Sequence, residues 1–225
     1  MNKIFSVIFF ITSIVSTYGQ QYRNPVVDNG MVYSLNNRVA TTLGSVYLND
    51  EWKQAKITLK NDEGKFLEVP VKLDLKTNVF EISLDNNVKV LEGSKVSYFQ
   101  WFNPNALRDE RYLNCDRYTL DGAKASGFCK VLSDSGLMLV ERAFVEVIKA
   151  NYNVQLNVGS QDDRIEKKEK LYLISKNQMI PYEKRTFFEI LGDKADVVKR
   201  YVKENKLNIA KADGIKRAVD YYNSI

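Results

Sequence analysis

Three carboxylates and four aromatic rings supply most of the chemistry this sequence could perform. Asp109, Glu110 and Asp116 cluster just after the aromatic segment Tyr98, Phe99, Trp101 and Phe102. Two carboxyl groups flanking a sugar ring can divide acid and base roles in glycoside hydrolysis. A carboxylate pair without other support equally describes surface charge in a loop. The aromatic segment is the candidate recognition surface. In an extended strand, Phe99 and Trp101 fall on one face and Tyr98 and Phe102 on the other. One pair could stack on sugar rings or a peptide while the other fills a core, or both faces could be covered.

Other catalytic systems lack parts. The chain has no histidine, so Ser-His-Asp and Cys-His nucleophile systems have no base. Zinc needs three or four His, Cys or carboxylate ligands, and no such set is apparent. Ser94 and Lys95 could form a Ser-Lys dyad only if they faced each other, and neighbours on a strand do not. No Walker loop or Gly-x-Gly-x-x-Gly fingerprint is present. No cofactor is implied. Cys115 and Cys129 are the only two cysteines. In an oxidising compartment two cysteines pair, and their spacing lacks the close Cys-x-x-Cys of redox motifs. The pair reads as a structural disulfide clamping a polar loop, floppy without that clamp, that holds Asp121, Gly122, Ser126 and Gly127.

The elements that would position these groups divide the chain into four parts. Residues 1–19 read as a signal peptide: Lys3, an apolar run Ile4–Val15, then Thr17 and Gly19 before Gln20. The run is short for a bilayer span, which needs about 20 residues. No cysteine near the cleavage site could carry a lipid anchor, and no later stretch is long and apolar enough to span as a helix. Cleavage would leave 206 of 225 residues with net charge +4 in place of +5, a mild balance that does not suggest nucleic acid. Residues 20–50 form an irregular leader rich in turn formers. Residues 51–182 alternate with period two: Ala55, Ile57 and Leu59; Leu67, Val69, Val71 and Leu73; Phe80, Ile82 and Leu84. Pro70 predicts an edge strand or bulge. Gln161–Lys170 reads as a charged loop or strand entry. Residues 183–225 switch to helical spacing, with Phe187, Phe188 and Leu191, then Val197, Val198, Tyr201 and Val202, then Ile215, Ala218, Val219 and Tyr222. Gly192 suits a helix C-terminus and Asp193 the cap of the next. The fold class is α+β: an antiparallel β meander, as a curved sheet, barrel or sandwich, followed by a small helical cluster.

The segments Gly44-Ser-Val-Tyr-Leu-Asn-x-x-Trp52, Ala55-x-Ile-x-Leu and Val69-Pro-Val-x-Leu, with the tail Tyr201–Leu207 and Tyr221–Ile225, resemble a group of short exported proteins from Bacteroidetes-type bacteria. Val46 stands where that group would have proline. The resemblance implies export but no assigned activity or site.

The leading expectation is an exported, non-enzymatic binding or structural protein of the cell envelope or secretome, meeting an envelope protein, a glycan or a lipid. The absence of any Asn-x-Ser/Thr acceptor favours a bacterial envelope, whether periplasm, outer-membrane surface or medium. A periplasmic carrier with a lipid between sheet and helices is the alternative. A carboxylate-dependent polysaccharide hydrolase ranks third. The basic residues Lys199, Arg200, Lys203, Lys206, Lys211, Lys216 and Arg217 suit either docking to anionic lipid or lipopolysaccharide or a solvated face with i,i+4 pairs at Asp196–Arg200 and Asp213–Arg217.

Overall fold

The computed structural model describes residues 42–60, 66–84, 87–102 and 109–225. Residues 1–19, read above as a signal peptide, and residues 20–41 of the leader lie outside them. A two-residue strand, β1 (Thr42–Leu43), pairs in parallel with a late strand at Asp163–Arg164. The rest of the described leader is also tied down: the Leu48 N–H donates to the Leu73 carbonyl at 2.8 Å.

The alternating segments become strands β2 (Lys53–Leu59), β3 (Phe66–Asp74), β4 (Val79–Leu84), β5 (Asn87–Glu92) and β6 (Val96–Trp101). Because side chains alternate across a pleated strand, the apolar set of each lands on one face. Ile57, Val71, Phe80, Val96 and Phe99 are fully enclosed there and form the first core. Each such side chain contributes roughly 1.5–3 kcal/mol relative to exposure. Pro70 does not mark an edge. Strand β3 lies between β2 and β4, but its pairing with β4 begins only at Val71–Ile82. Pro70 sits one residue beyond that ladder, where no N–H is required of it.

The sheet continues through β7 (Glu110–Asn114), the small pair β8 (Thr119–Leu120) and β9 (Ala123–Lys124), then β10 (Phe128–Ser133), β11 (Met138–Ile148), β12 (Asp163–Ser175) and β13 (Gln178–Pro181). The spatial order is β5-β4-β3-β2-β6-β7-β10-β11-β12-β13-β8-β9. It is a mixed sheet: β13 meets β8 in parallel, as β1 meets β12. It is also an open one, ending at β5 and β9. The charged stretch 161–170 forms most of the first half of β12, paired residue for residue with β11 from Ile148–Arg164 to Met138–Ile174. Its lysines and glutamates face solvent along a long hairpin whose connection exposes Val154, Leu156 and Val158.

Three helices follow among the described residues: α1 (Lys184–Leu191), α2 (Ala195–Glu204) and α3 (Ala212–Ser224). Gly192 ends α1 at φ +55°, a conformation glycine adopts without strain. Asp193 lies in a short 3-10 turn instead of capping α2, whose N-cap is Lys194. Leu139 and Leu173 of the sheet meet Phe187, Val198, Ile215 and Val219 of the helices in a second core. No helix among the described residues is long and apolar enough to cross a membrane.

Candidate ligand-binding site

Strand β6 splits the predicted aromatic surface in two. Phe99 and Trp101 point into the first core at 0 % and 3 % exposure. Phe99 stacks on Tyr112 with centroids 4.7 Å apart and meets Phe80 and Phe128 edge-on at 5.1 and 5.3 Å. These two rings hold the sheet together and are closed to a ligand. Offset and edge-on packing of this kind adds about 0.5–1.5 kcal/mol per pair beyond burial. The opposite parity carries the half-buried Tyr98 and, beyond the strand end, Phe102, which is 67 % exposed. Of the four predicted residues, only this pair belongs to an accessible face.

A groove of about 300 Å³ runs beside Phe102, lined by Gln54, Lys56, Glu68, Gln100 and Asp109. Register explains the assembly. Lys56 of β2 lies directly opposite Glu68 of β3 and Gln100 of β6, and residues directly opposite share a face. The same alternation that buries Ile57 and Phe99 therefore lays a polar row across three strands. Lys56 Nζ sits 3.5 Å from the centroid of the exposed Phe66 ring, a cation–π contact that keeps the ammonium on this face. An open aromatic ring beside two amides and two carboxylates matches the needs of a sugar: an apolar face to stack, and hydroxyls that both donate and accept. Gln54, Lys56, Glu68 and Gln100 were not singled out from the sequence. Their signal was present as the polar half of the strand alternation, which is ordinarily read only as solvent-facing.

The predicted carboxylate cluster is dispersed. Asp109 lines the outer groove, whereas Asp116 pairs with Lys60. Glu110 points to the inner side, where Lys130 donates to its Oε1 at 2.6 Å and the Tyr112 hydroxyl to its Oε2 at 3.1 Å. Burial works to raise the Glu110 pKa, but the hydrogen bond and charge of Lys130, with help from Tyr112 and Lys53, hold it below its ordinary value. Glu141, opposite Lys130 on β11, is pushed the other way by burial and by the charge of Glu169. Burial and Glu110 also raise the Tyr112 phenol far above its ordinary range. With both oxygens engaged, Glu110 serves as an anchor between β7 and β10. Ser94 and Lys95 lie in a 3-10 turn, and each contacts Glu92. No group of three potential metal ligands occurs among the described residues.

Cys115 and Cys129 form a disulfide with a Cα–Cα distance of 6.2 Å, joining the 3-10 turn that follows β7 to β10. With the bridge in place, the loop it closes is structured. Asp121 and Gly122, both at positive φ, turn the chain between β8 and β9. Tyr118 and Ala125 are buried against the disulfide, Val140 and Tyr172 in a third core. On the helices, Asp196 pairs with Lys199 at 3.0 Å and Lys216 with Asp220 at 2.5 Å, so the ion pairs are shifted from those expected. Compared with family models, curated proteins and solved structures, the chain matches none.

Proposed function

We propose that this chain is an exported, non-enzymatic binding protein of the cell envelope, and that the outer groove beside Phe102 takes a glycan. The observation that carries the reading is an aromatic ring held two-thirds open at the end of β6, next to the amides of Gln54 and Gln100. Export is supported by the three-part pattern of residues 1–19 and by the disulfide, which persists in oxidising compartments. Intact mass of the protein recovered from an expressing bacterium checks this: cleavage before Gln20 is expected, and an uncleaved chain would contradict export through this signal.

The glycan reading is tested by calorimetric titration with short oligomers of glucose and of N-acetylglucosamine. At least one should bind saturably. Phe102→Ala should then weaken binding about tenfold, equivalent to about 1.4 kcal/mol, which is the upper range of one aromatic contact. Binding untouched by that change, or none to any oligomer, would refute the assignment.

A further inference from the structure

We infer that the helical cluster holds a second binding site, separate from the glycan groove, for a single-chain anionic amphiphile of the fatty-acid class. An open groove of about 520 Å³ lies between α1, α2 and the connection from α2 to α3. Its floor is apolar, built by Phe188, Val202, Leu207 and Ile209, and three ammonium groups, Lys184, Lys199 and Lys203, stand around it. No acidic side chain lines it. Lys199 leans over the floor, its Nζ 5.6 Å from the Phe188 centroid, while its partner Asp196 stays in solvent. Lys184 and Lys203 have no carboxylate partner among the described residues.

This distribution is unlike a solvated basic face. On such a face, cations alternate with carboxylates. Here three positive charges surround apolar surface that water touches, so charge and hydrophobicity select the same ligand: a hydrocarbon chain with an anionic end. The volume lies in the small-ligand range. An amphipathic helix from a partner would need a far larger contact, roughly 800 Å² on each side. The wall is also pre-formed. Tyr182 donates its hydroxyl to the Ile209 carbonyl at 2.6 Å, and the Leu207 N–H bonds to Val202 O at 2.9 Å. Little ordering is left for binding to impose.

The test is titration of the mature chain with laurate below its micellar concentration, at low salt, alongside dodecyltrimethylammonium and dodecyl maltoside. Laurate should bind one-to-one, and the cationic amphiphile at least tenfold more weakly. The combined variant K184Q/K199Q/K203Q changes only rim side chains and should keep its melting temperature within about 2 °C while losing laurate affinity at least tenfold. Should that variant fail to fold, Lys203→Gln alone with methyl shifts at Ile209 and Val202 serves instead, and shifts confined to this groove are expected. Equal affinity for the cationic amphiphile, laurate binding unaffected by the lysine changes, or binding of an acidic amphipathic peptide but not laurate would each overturn the proposal.

Discussion

Replacing Asn114 with alanine should destabilise the protein by about 3 kcal/mol, since three hydrogen bonds at about 1 kcal/mol each are lost. Asn114 ends β7 at 2 % exposure. Its Nδ2 donates to the carbonyls of Gly93 at 2.9 Å and Val96 at 2.8 Å, and its Oδ1 accepts from the Asp116 N–H at 3.0 Å. One amide therefore joins the turn that launches β6, the strand carrying Phe99 and leading to Phe102, to the turn that begins at Cys115. For a domain of this size, the loss corresponds to a melting temperature lower by about 6–12 °C, at about 2–4 °C per kcal/mol. Asn114→Asp keeps the acceptor, loses both donors and turns a carboxylate toward two carbonyls, so it should cost at least as much. Thermal and urea melts followed by near-ultraviolet circular dichroism measure both. A fall below about 2 °C for Asn114→Ala would refute the account of how β6 is anchored.

Removing the disulfide with Cys115→Ser and Cys129→Ser should cost about 3 kcal/mol in the chain-entropy relation for a loop of this length, read as a lower urea midpoint; an unchanged midpoint would contradict a clamping role. Glu110→Gln and Glu141→Gln should have opposite pH signatures. Glu110, held below its ordinary 4.5, contributes stability above that value and loses it as pH falls through the folded pKa. Glu110→Gln should therefore be less stable than wild type at pH 7, and the gap should close in acid. Glu141, raised above 4.5, is penalised increasingly as pH climbs from 4.5 through the folded pKa. Glu141→Gln should be more stable than wild type at pH 7 and equal to it near pH 3, and melts across that range decide both signs. Tyr182→Phe should cost about 1 kcal/mol by freeing the Ile209 carbonyl, which a urea melt would detect.

Local periodicity carried much of the fold into view. Ala55-Ile57, Val69-Val71-Leu73 and Phe80-Ile82 alternate, and each set is buried on one face. Phe187, Leu191, Val198, Ile215 and Val219 follow helical spacing, and all are enclosed. Non-local arrangement was not visible. Nothing in the local pattern of β6 says that it returns to pair with β2, or that β8 and β9 travel to the far end beside β13, because register and order depend on long-range pairing. At 161–170 the charged pattern left loop and strand entry open, and the structure has the strand entry: a strand exposed along most of its length needs no apolar alternation, so its hairpin partner decides the conformation. At the candidate site the parity of Tyr98 and Phe102 was legible. Which parity faced the core was not, because both were aromatic. The polar neighbours Lys56, Glu68 and Gln100 were reachable only through cross-strand register.

The glycan surface we propose is the outer face of β2, β3 and β6. Its most direct test is an NMR titration of the isotope-labelled mature chain with the tightest-binding oligosaccharide, observing the side-chain amides of Gln54 and Gln100 and the ring of Phe102. Saturating shifts are expected at those three residues, with the aromatic core at Phe99 and Trp101 and the helical groove at Ile209 unmoved. Shifts centred on the helices or the β11–β12 hairpin, with Gln54, Gln100 and Phe102 silent, would contradict it.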